Sequence, residues 1–427
     1  MRRFGMSSVR WAAAAVVAVL AIPGRARADV TLVQNPKWTF YTRGLIAAHY
    51  QLVKGDADPN FYNSLPSAGG QILDEKTASD VRDNKLTLSN IRSGFIGTQM
   101  GFGLIHPLSE SVKVEAFSSI NMAGINSNRG QELQKAVDYR EAWADVQTPY
   151  GSVKFGRMFG IFGEGSAEVM VMAWKYGVGH PCVINAATIS CGSSGAGPLY
   201  AGFDGAIRYT TPRIVGLQAA VAVVDPSVSS PVKMSPTPRF DGEVSYDRWF
   251  RQLHVRLIGQ GLYEKISQST APVGIVPGTI RSDTVWGGMG TGIVGIGPVA
   301  LGGGGWMGAG IGERVPLESR DASNPLFMDK SGRLRKFRGF YGNLQGNFMD
   351  NYLTVGGGIM FVQPSSLDKS ATASNDVLDH QSEYHVTYQH HFDAIILNAE
   401  YMHWETKWHF GEKQKLNFMG VGANFEW

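Results

Sequence analysis

What most constrains this chain is a repeat of short alternating segments. After residue 30, apolar and polar side chains alternate over stretches of about ten residues, the pattern of a strand that turns successive side chains to opposite faces. The stretches fall near 37–51, 86–101, 110–124, 136–147, 152–158, 202–212, 216–225, 238–249, 251–264, 282–296, 299–311, 335–348, 351–362, 380–392, 394–408 and 415–427, sixteen in all. Tight connections at Thr148-Pro149-Tyr150-Gly151, Pro212-Arg213-Ile214-Val215, Gly297-Pro298 and Asp350-Asn351 alternate with long excursions at 52–85, 159–201, 312–334 and 363–379. An even set of strands joined alternately by turns and loops predicts an all-β chain. The expected form is a transmembrane antiparallel β-barrel of about 16 strands, with turns at one end and loops at the other. No helical hydrophobic stripe is sustained after residue 30, and no 20-residue apolar run lies beyond the start, which excludes a helical membrane bundle.

The last segment shows the pattern at its plainest. Met419, Val421, Ala423, Phe425 and Trp427 fall on one face, and Gly420, Gly422, Asn424 and Glu426 on the other. One side suits lipid and the other water, and the terminal aromatics Phe425 and Trp427 suit the interface girdle of a barrel. The 53 glycines among 427 residues fit a closely packed, curved wall. The run from Gly287 to Gly292 and that from Gly302 to Gly305 neither follow a parallel-type strand nor open a helix, so they form no nucleotide fingerprint.

The first residues read as an export signal. Arg2, Arg3 and Arg10 form a basic start, Trp11 to Ile22 an apolar core, and Ala26-Arg27-Ala28 a small-residue cleavage site. This predicts a signal peptide over 1–28 and a single barrel domain over 29–427. Residues 1–28 carry five arginines and no acid, so their removal turns a formal charge of +3 into −2. Nothing in that balance calls for a nucleic-acid partner. Cys182 and Cys191 lie nine apart in an exported chain, where a local disulfide is the expected state. Metal ligation together with His180 and two free thiols are the alternatives, although zinc-site spacing and a fourth ligand are missing. No cofactor is expected. The chain has no Gly-x-Ser-x-Gly elbow and no paired histidines at zinc spacing, so an outer-membrane barrel enzyme is the least favoured reading; His390-His391 reads as interfacial surface.

Several segments resemble the general, trimeric porins of Gram-negative outer membranes. They are Phe40-Tyr41-Thr42-Arg43-Gly44-Leu45 with His49-Tyr50, Ile91-Arg92-Ser93-Gly94-Phe95-Ile96-Gly97, and Arg140-Glu141-Ala142-Trp143-Ala144-Asp145-Val146 followed by a turn and Val153-Lys154-Phe155-Gly156-Arg157. The resemblance implies a homotrimer in outer-membrane lipid and passive diffusion of ions and small hydrophilic solutes. It also implies a third long loop folded into the barrel as a constriction, with loop acids facing basic wall residues. That loop is 159–201 here, with Glu164, Glu168 and Lys175, and the family's basic wall positions carry over onto Arg43, Arg92 and Arg140. The family's proline- and acid-rich loop tip is absent.

Parity gives an independent reading of these positions. Arg92 shares a face with Asn90 and Gly94 opposite Ile91 and Phe95, and Arg43 shares one with His49 opposite Phe40 and Ile46. Arg208, between Ile207 and Tyr209, points inward by parity alone. Arginine facing lipid at mid-membrane costs about 2–4 kcal/mol, so inward placement is the cheaper one. Clustered lumenal arginines predict a preference for anions. The competing reading is a channel selective for a sugar or for phosphate. It would need an aromatic track or a dense basic ladder, whereas Trp143, Trp404 and Trp427 read as strand-end or lipid-facing.

Overall fold

The computed structural model describes residues 29–56, 80–82, 85–122, 137–179, 196–226, 232–233, 237–268, 282–311, 328–329, 333–365, 368–369, 378–409, 411 and 413–427. The expected signal peptide and the Cys182, Cys191 and His180 positions lie outside them.

A short β1 (Val30–Gln34) turns back onto β2 (Thr39–Asp56), the first stave of the barrel. The second stave is divided. β3 (Asp80–Arg82) leads into β4 (Lys85–Arg92), which pairs with one half of β2, and β5 (Thr98–Pro107) pairs with the other half. The break at 93–97 holds Gly94 and Gly97, both at positive φ. β6 (Lys113–Met122), β7 (Val137–Thr148) and β8 (Gly151–Phe159) follow, then the helix α1 (Glu164–Trp174), then β9 (Phe203–Thr210), β10 (Leu217–Val224) and the short β11 (Val232–Lys233). The wall continues through β12 (Arg239–Phe250), β13 (Leu253–Gln268), β14 (Ser282–Ile296), β15 (Val299–Ala309) and β16 (Lys336–Phe348). It ends with β17 (Asn351–Gln363), β18 (Leu378–Phe392), β19 (Ile395–Trp408) and β20 (Lys413–Glu426). Closure comes where β20 pairs with β2, from Leu45↔Glu426 to Gly55↔Leu416. The result is a closed, antiparallel barrel of sixteen staves. Closure satisfies every ladder group without an open edge, as a lipid-embedded sheet requires.

Which face is inside follows from α1, which lies against β13–β18. Asn343, Gln345, Thr354 and Gln389 all bond its backbone, so the residues that share their faces line the interior. The alternate residues, among them Leu301, Met307, Phe340, Leu344, Leu353, Val355, Tyr384 and Val386, are exposed on the outside. On β20 the observed faces are those read from the sequence: Met419, Val421 and Phe425 are exposed, and Gly420 and Asn424 buried.

Tight turns at one end hold a residue in the left-handed region: Arg251 (φ 58°), Met349 (φ 57°) and Asp393 (φ 52°). Gly297 (φ 56°) occupies the same first position of its two-residue turn, where the lack of a Cβ removes the strain borne by the others.

Two glycine sets emerge from the glycine-rich staves. Inward Gly302 lies against Val169 and Met172 of α1, and inward Gly358 lies against the Ala196 carbonyl, so a methyl group at either would collide with the loop. Outward glycines pair across strands as Gly242↔Gly261↔Gly288 and Gly292↔Gly303↔Gly342↔Gly357. They leave bare backbone on the membrane face of β12–β17.

Candidate functional site

The segment after β8 turns into the barrel rather than away from it. Its helix was not expected: Val169 to Trp174 carries no polar residue to mark a helical period. Gly165, Ser166, Val169, Met170, Ala173 and Trp174 are buried. The helix has no side-chain cap of its own; instead Gln260 on β13 accepts hydrogen bonds from the Gly163 and Gly165 N–H groups (3.1 and 3.4 Å). At the other end the wall supplies donors to carbonyls that a helix terminus leaves unpaired. Gln345 Nε2 and Thr354 Oγ1 donate to Met172 O (2.6 and 3.1 Å), and Gln389 Nε2 to Ala173 O (2.9 Å). One turn earlier, Asn343 Nδ2 donates to Val169 O (2.8 Å).

Beyond α1 the chain crosses to the β19–β20–β2 seam. His49 Nε2 and Asn424 Nδ2 each lie 3.0 Å from Tyr176 O, Phe95 N donates to Gly177 O (2.8 Å), and Glu400 accepts from the Val178 and Gly179 N–H groups. On its return Gly197 O accepts from Trp306 Nε1. Apolar side chains fill the space between loop and wall. Phe162, Val169 and Leu199 pack with Met289, Trp306 and Met360, while Met170 and Trp174 pack with Met402, Trp404 and Phe418. The lumen is therefore closed over β13–β20, and charged side chains gather on the opposite arc, β2 and β6–β13.

On that arc the loop meets the wall through acids. Glu164 and Glu168, one helical turn apart on one face, reach two arginines. Arg208 Nη1 donates to Glu164 Oε2 (3.0 Å), and Arg256 takes Glu168 in a fork while its Nη1 donates to Asp247 Oδ2 (2.7 Å). Lys175 pairs with Glu426 (2.9 Å). Burial pushes the Glu164 carboxyl above the ordinary glutamate range, against the opposing pull of Arg208.

The expected basic positions separate in the structure. Arg43 faces inward, pairs with Asp29 (3.0 Å) and covers the rings of Phe117 and Tyr41, with its guanidinium 4.7 and 5.2 Å from their centroids. Arg92 pairs in register with His49, but its side chain lies outside the described set. Arg140 differs from expectation. It directly precedes inward Glu141, so ordinary alternation puts it over the Phe203 ring (5.6 Å), out of phase with the inward row of Glu141, Trp143 and Asp145; the register slip between Ser119 and Asn121 resets the phase only on the N-terminal side. At Arg157 the pairing runs through Gly156 without a slip, in phase with exposed Val153 and Phe155.

Trp143 and Trp404 face inward, against the reading of strand-end or lipid-facing positions. Trp143 Nε1 donates to Glu141 (3.1 Å), and Trp404 is buried under the loop. His390 is buried against Asn351, and His391 packs on the ring of Tyr176, so neither is interfacial surface. Sequence reading missed Arg256 and its neighbours Asp247 and Gln260, although Arg256 alternates with Val255 and Leu257 just as Arg208 alternates with its own neighbours.

The model of the Gram-negative porin family matches residues 12–427. This chain is a Gram-negative porin. It is an outer-membrane β-barrel, and among solved structures its fold resembles other outer-membrane channels. The outer membrane channel DcaP of Acinetobacter baumannii aligns with a TM-score of 0.65 at 13 % identity, covering 93 % of this porin and 100 % of its own chain. The anion-selective porin from Comamonas acidovorans gives 0.58 at 11 % identity, covering 92 % and 100 %. The trimer form of OmpT from Vibrio cholerae gives 0.51 at 12 %, covering 92 % and 100 %. At such identities the likeness carries the fold alone. No curated protein sequence matches this porin.

Proposed function

We propose that the porin forms a water-filled diffusion channel for small hydrophilic solutes, with a preference for cations. The charge balance of the described lumenal residues carries this reading. The inward cations Arg43, Arg208, Arg256, Arg239 and Lys175 each have a carboxylate partner, at Asp29, Glu164, Glu168, Asp241 and Glu426. Four inward carboxylates have neutral hydrogen-bond partners instead. Tyr41 donates to Glu115, Trp143 to Glu141, Gln147 to Asp145 and Gln260 to Glu243. Against these stand Lys154, over the Trp143 ring (4.0 Å), and Lys113, in phase with Glu115 on β6. Acid therefore outweighs base among the described lumenal residues, and a narrow low-dielectric passage amplifies that excess. This reverses the anion preference expected from counting arginines.

A reversal potential measured across a KCl gradient at low salt tests the reading, with cation preference expected and anion preference overturning it. Acidification should weaken that preference. Glu164 takes up its proton at a higher pH than an ordinary glutamate, and its neutralisation frees Arg208 as a net positive charge. The decline in cation selectivity should therefore begin early on acidification, and Glu164→Gln should remove that early phase.

A sugar-selective channel finds less support. Of the inward aromatic row formed by Tyr41, Phe117 and Trp143, Tyr41 and Phe117 are only 3 % and 6 % exposed, which leaves no continuous platform for a sugar.

The porin is proposed to work as a homotrimer. A shallow outer cavity on β5–β8 has a floor of Ala116, Ser118, Ala142 and Ala144 between Phe102 and Phe155, a surface flat enough for a second copy to approach. Ala144→Trp should yield folded monomers by light scattering in detergent, and trimers that persist in this variant would move the interface elsewhere.

A further inference from the structure

On the outer face of β14–β18, at the long-loop rim, a cavity of about 600 Å³ opens between Trp286, Met307, Lys336, Arg338, Phe361 and Asp379. Register sets Met307, Arg338, Phe361, His380 and Lys407 in one row across β15–β19. Their strand neighbours Trp306, Phe337, Met360, Gln381 and Thr406 are buried inward, so the row faces the membrane side. The Arg338 guanidinium lies over the Phe361 ring (5.0 Å), and neither Lys336 nor Arg338 makes an ion pair among the described residues.

The described acids nearby are already engaged. Asp379 lies beside His380 (3.1 Å), Lys407 and His409 (both 3.6 Å), and Glu405 sits between Lys413 and Lys415 (both 3.3 Å). Among the described residues, the outward rim of β16–β20 thus sets five cations, Lys336, Arg338, Lys407, Lys413 and Lys415, against two carboxylates. Directly below, Phe340, Leu344, Leu301 and Val355 are exposed to the hydrocarbon region. Cations above an apolar wall match an amphiphile with an anionic head. A planar guanidinium beside an ammonium suits the oxygens of a phosphate.

We propose that this cavity holds the phosphorylated headgroup of a membrane lipid, with its acyl chains along the apolar wall below. The site is separate from the pore, so it stands or falls independently of how solutes permeate. Phosphate-free and free-phosphate ligands differ from this occupant in ways an experiment can separate.

The test is native mass spectrometry of the purified full-length porin in detergent after incubation with bisphosphorylated lipid A, the same lipid with its phosphates removed, phosphatidylcholine or inorganic phosphate. Lipid A should be retained selectively. Lys336→Ala with Arg338→Ala should cut retention about thirtyfold, at the worth of two surface cations toward anionic lipid, while Lys413→Ala with Lys415→Ala leaves it near wild type. Heat-modifiable gel migration and single-channel conductance should stay unchanged in both variants, which reports folding and the pore separately from the lipid. If the alanine pair does not fold, Lys336→Gln with Arg338→Gln carries the same expectation. Equal retention of the dephosphorylated lipid, competition by inorganic phosphate at equal concentration, or undiminished retention in the Lys336/Arg338 variant would each overturn the site.

Discussion

Leucine at position 44 should prevent the barrel from closing. Gly44 is on β2 where the sheet meets its own end: Gly44 N donates to Trp427 O (2.9 Å), Trp427 N donates to Gly44 O (3.1 Å), and the Trp427 ring lies where a Cβ on residue 44 would stand. A leucine must expel that ring or part the strands. Overpacking alone costs about 1–3 kcal/mol, and each seam N–H or C=O left bare in lipid adds several more. Refolding into detergent or lipid should give a variant without the heat-resistant, fast-migrating form on gels, whereas Gly44→Ala with Trp427→Ala should recover part of it. A Gly44→Leu barrel that closes and resists heat like the wild type would show that the indole is not what seals the seam.

Removing both loop acids should have the larger effect on permeation. In Glu164→Gln with Glu168→Gln, Arg208 and Arg256 lose their loop partners and the constriction gains two net positive charges. At about 5 Å in water each charge acts on a passing ion with roughly 0.8 kcal/mol. Two such changes, with opposite signs for cation and anion, shift the permeability ratio by at least about tenfold at 0.1 M salt. The shift should shrink toward 1 M as the Debye length falls from about 10 to about 3 Å. A reversal potential that matches wild type at low salt would place the selectivity filter away from α1.

The barrel itself was largely legible, because one face of each stave had to be apolar. β20 shows this, as do the sixteen alternating segments, each of which overlaps an observed stave. Legibility failed where that rule was suspended. Where the loop covers the inner wall on β14, β15 and β19 and at the start of β20, Met289, Trp306, Met402 and Phe418 are buried inside while Trp286 and Met307 face out, and there period two no longer tells lumen from lipid. The same covering hid α1, where Val169, Met170, Ala173 and Trp174 are buried and no polar residue marks a helical period. Arg140 alternates with inward Glu141 and so leaves the inward row, whereas the bulge beside it inverts only the parity of what precedes it. The second stave was cut short at residue 101 because Gly94 and Gly97 interrupt a strand that resumes and runs to Pro107. Arg256, by contrast, was within reach of the parity argument that found Arg208.

The wall grips the constriction loop mostly by its main chain. Asn343, Gln345, Gln389, Asn424 and Trp306 bond carbonyls, and Gln260 and Glu400 receive N–H groups. Such a grip is indifferent to which side chains the loop presents to the water. The pore-facing letters at 164, 167, 168 and 171 are thus free to drift while the loop stays docked, so a lineage carrying this barrel is able to exchange one solute preference for another by point mutation, without the scaffold having to be solved again.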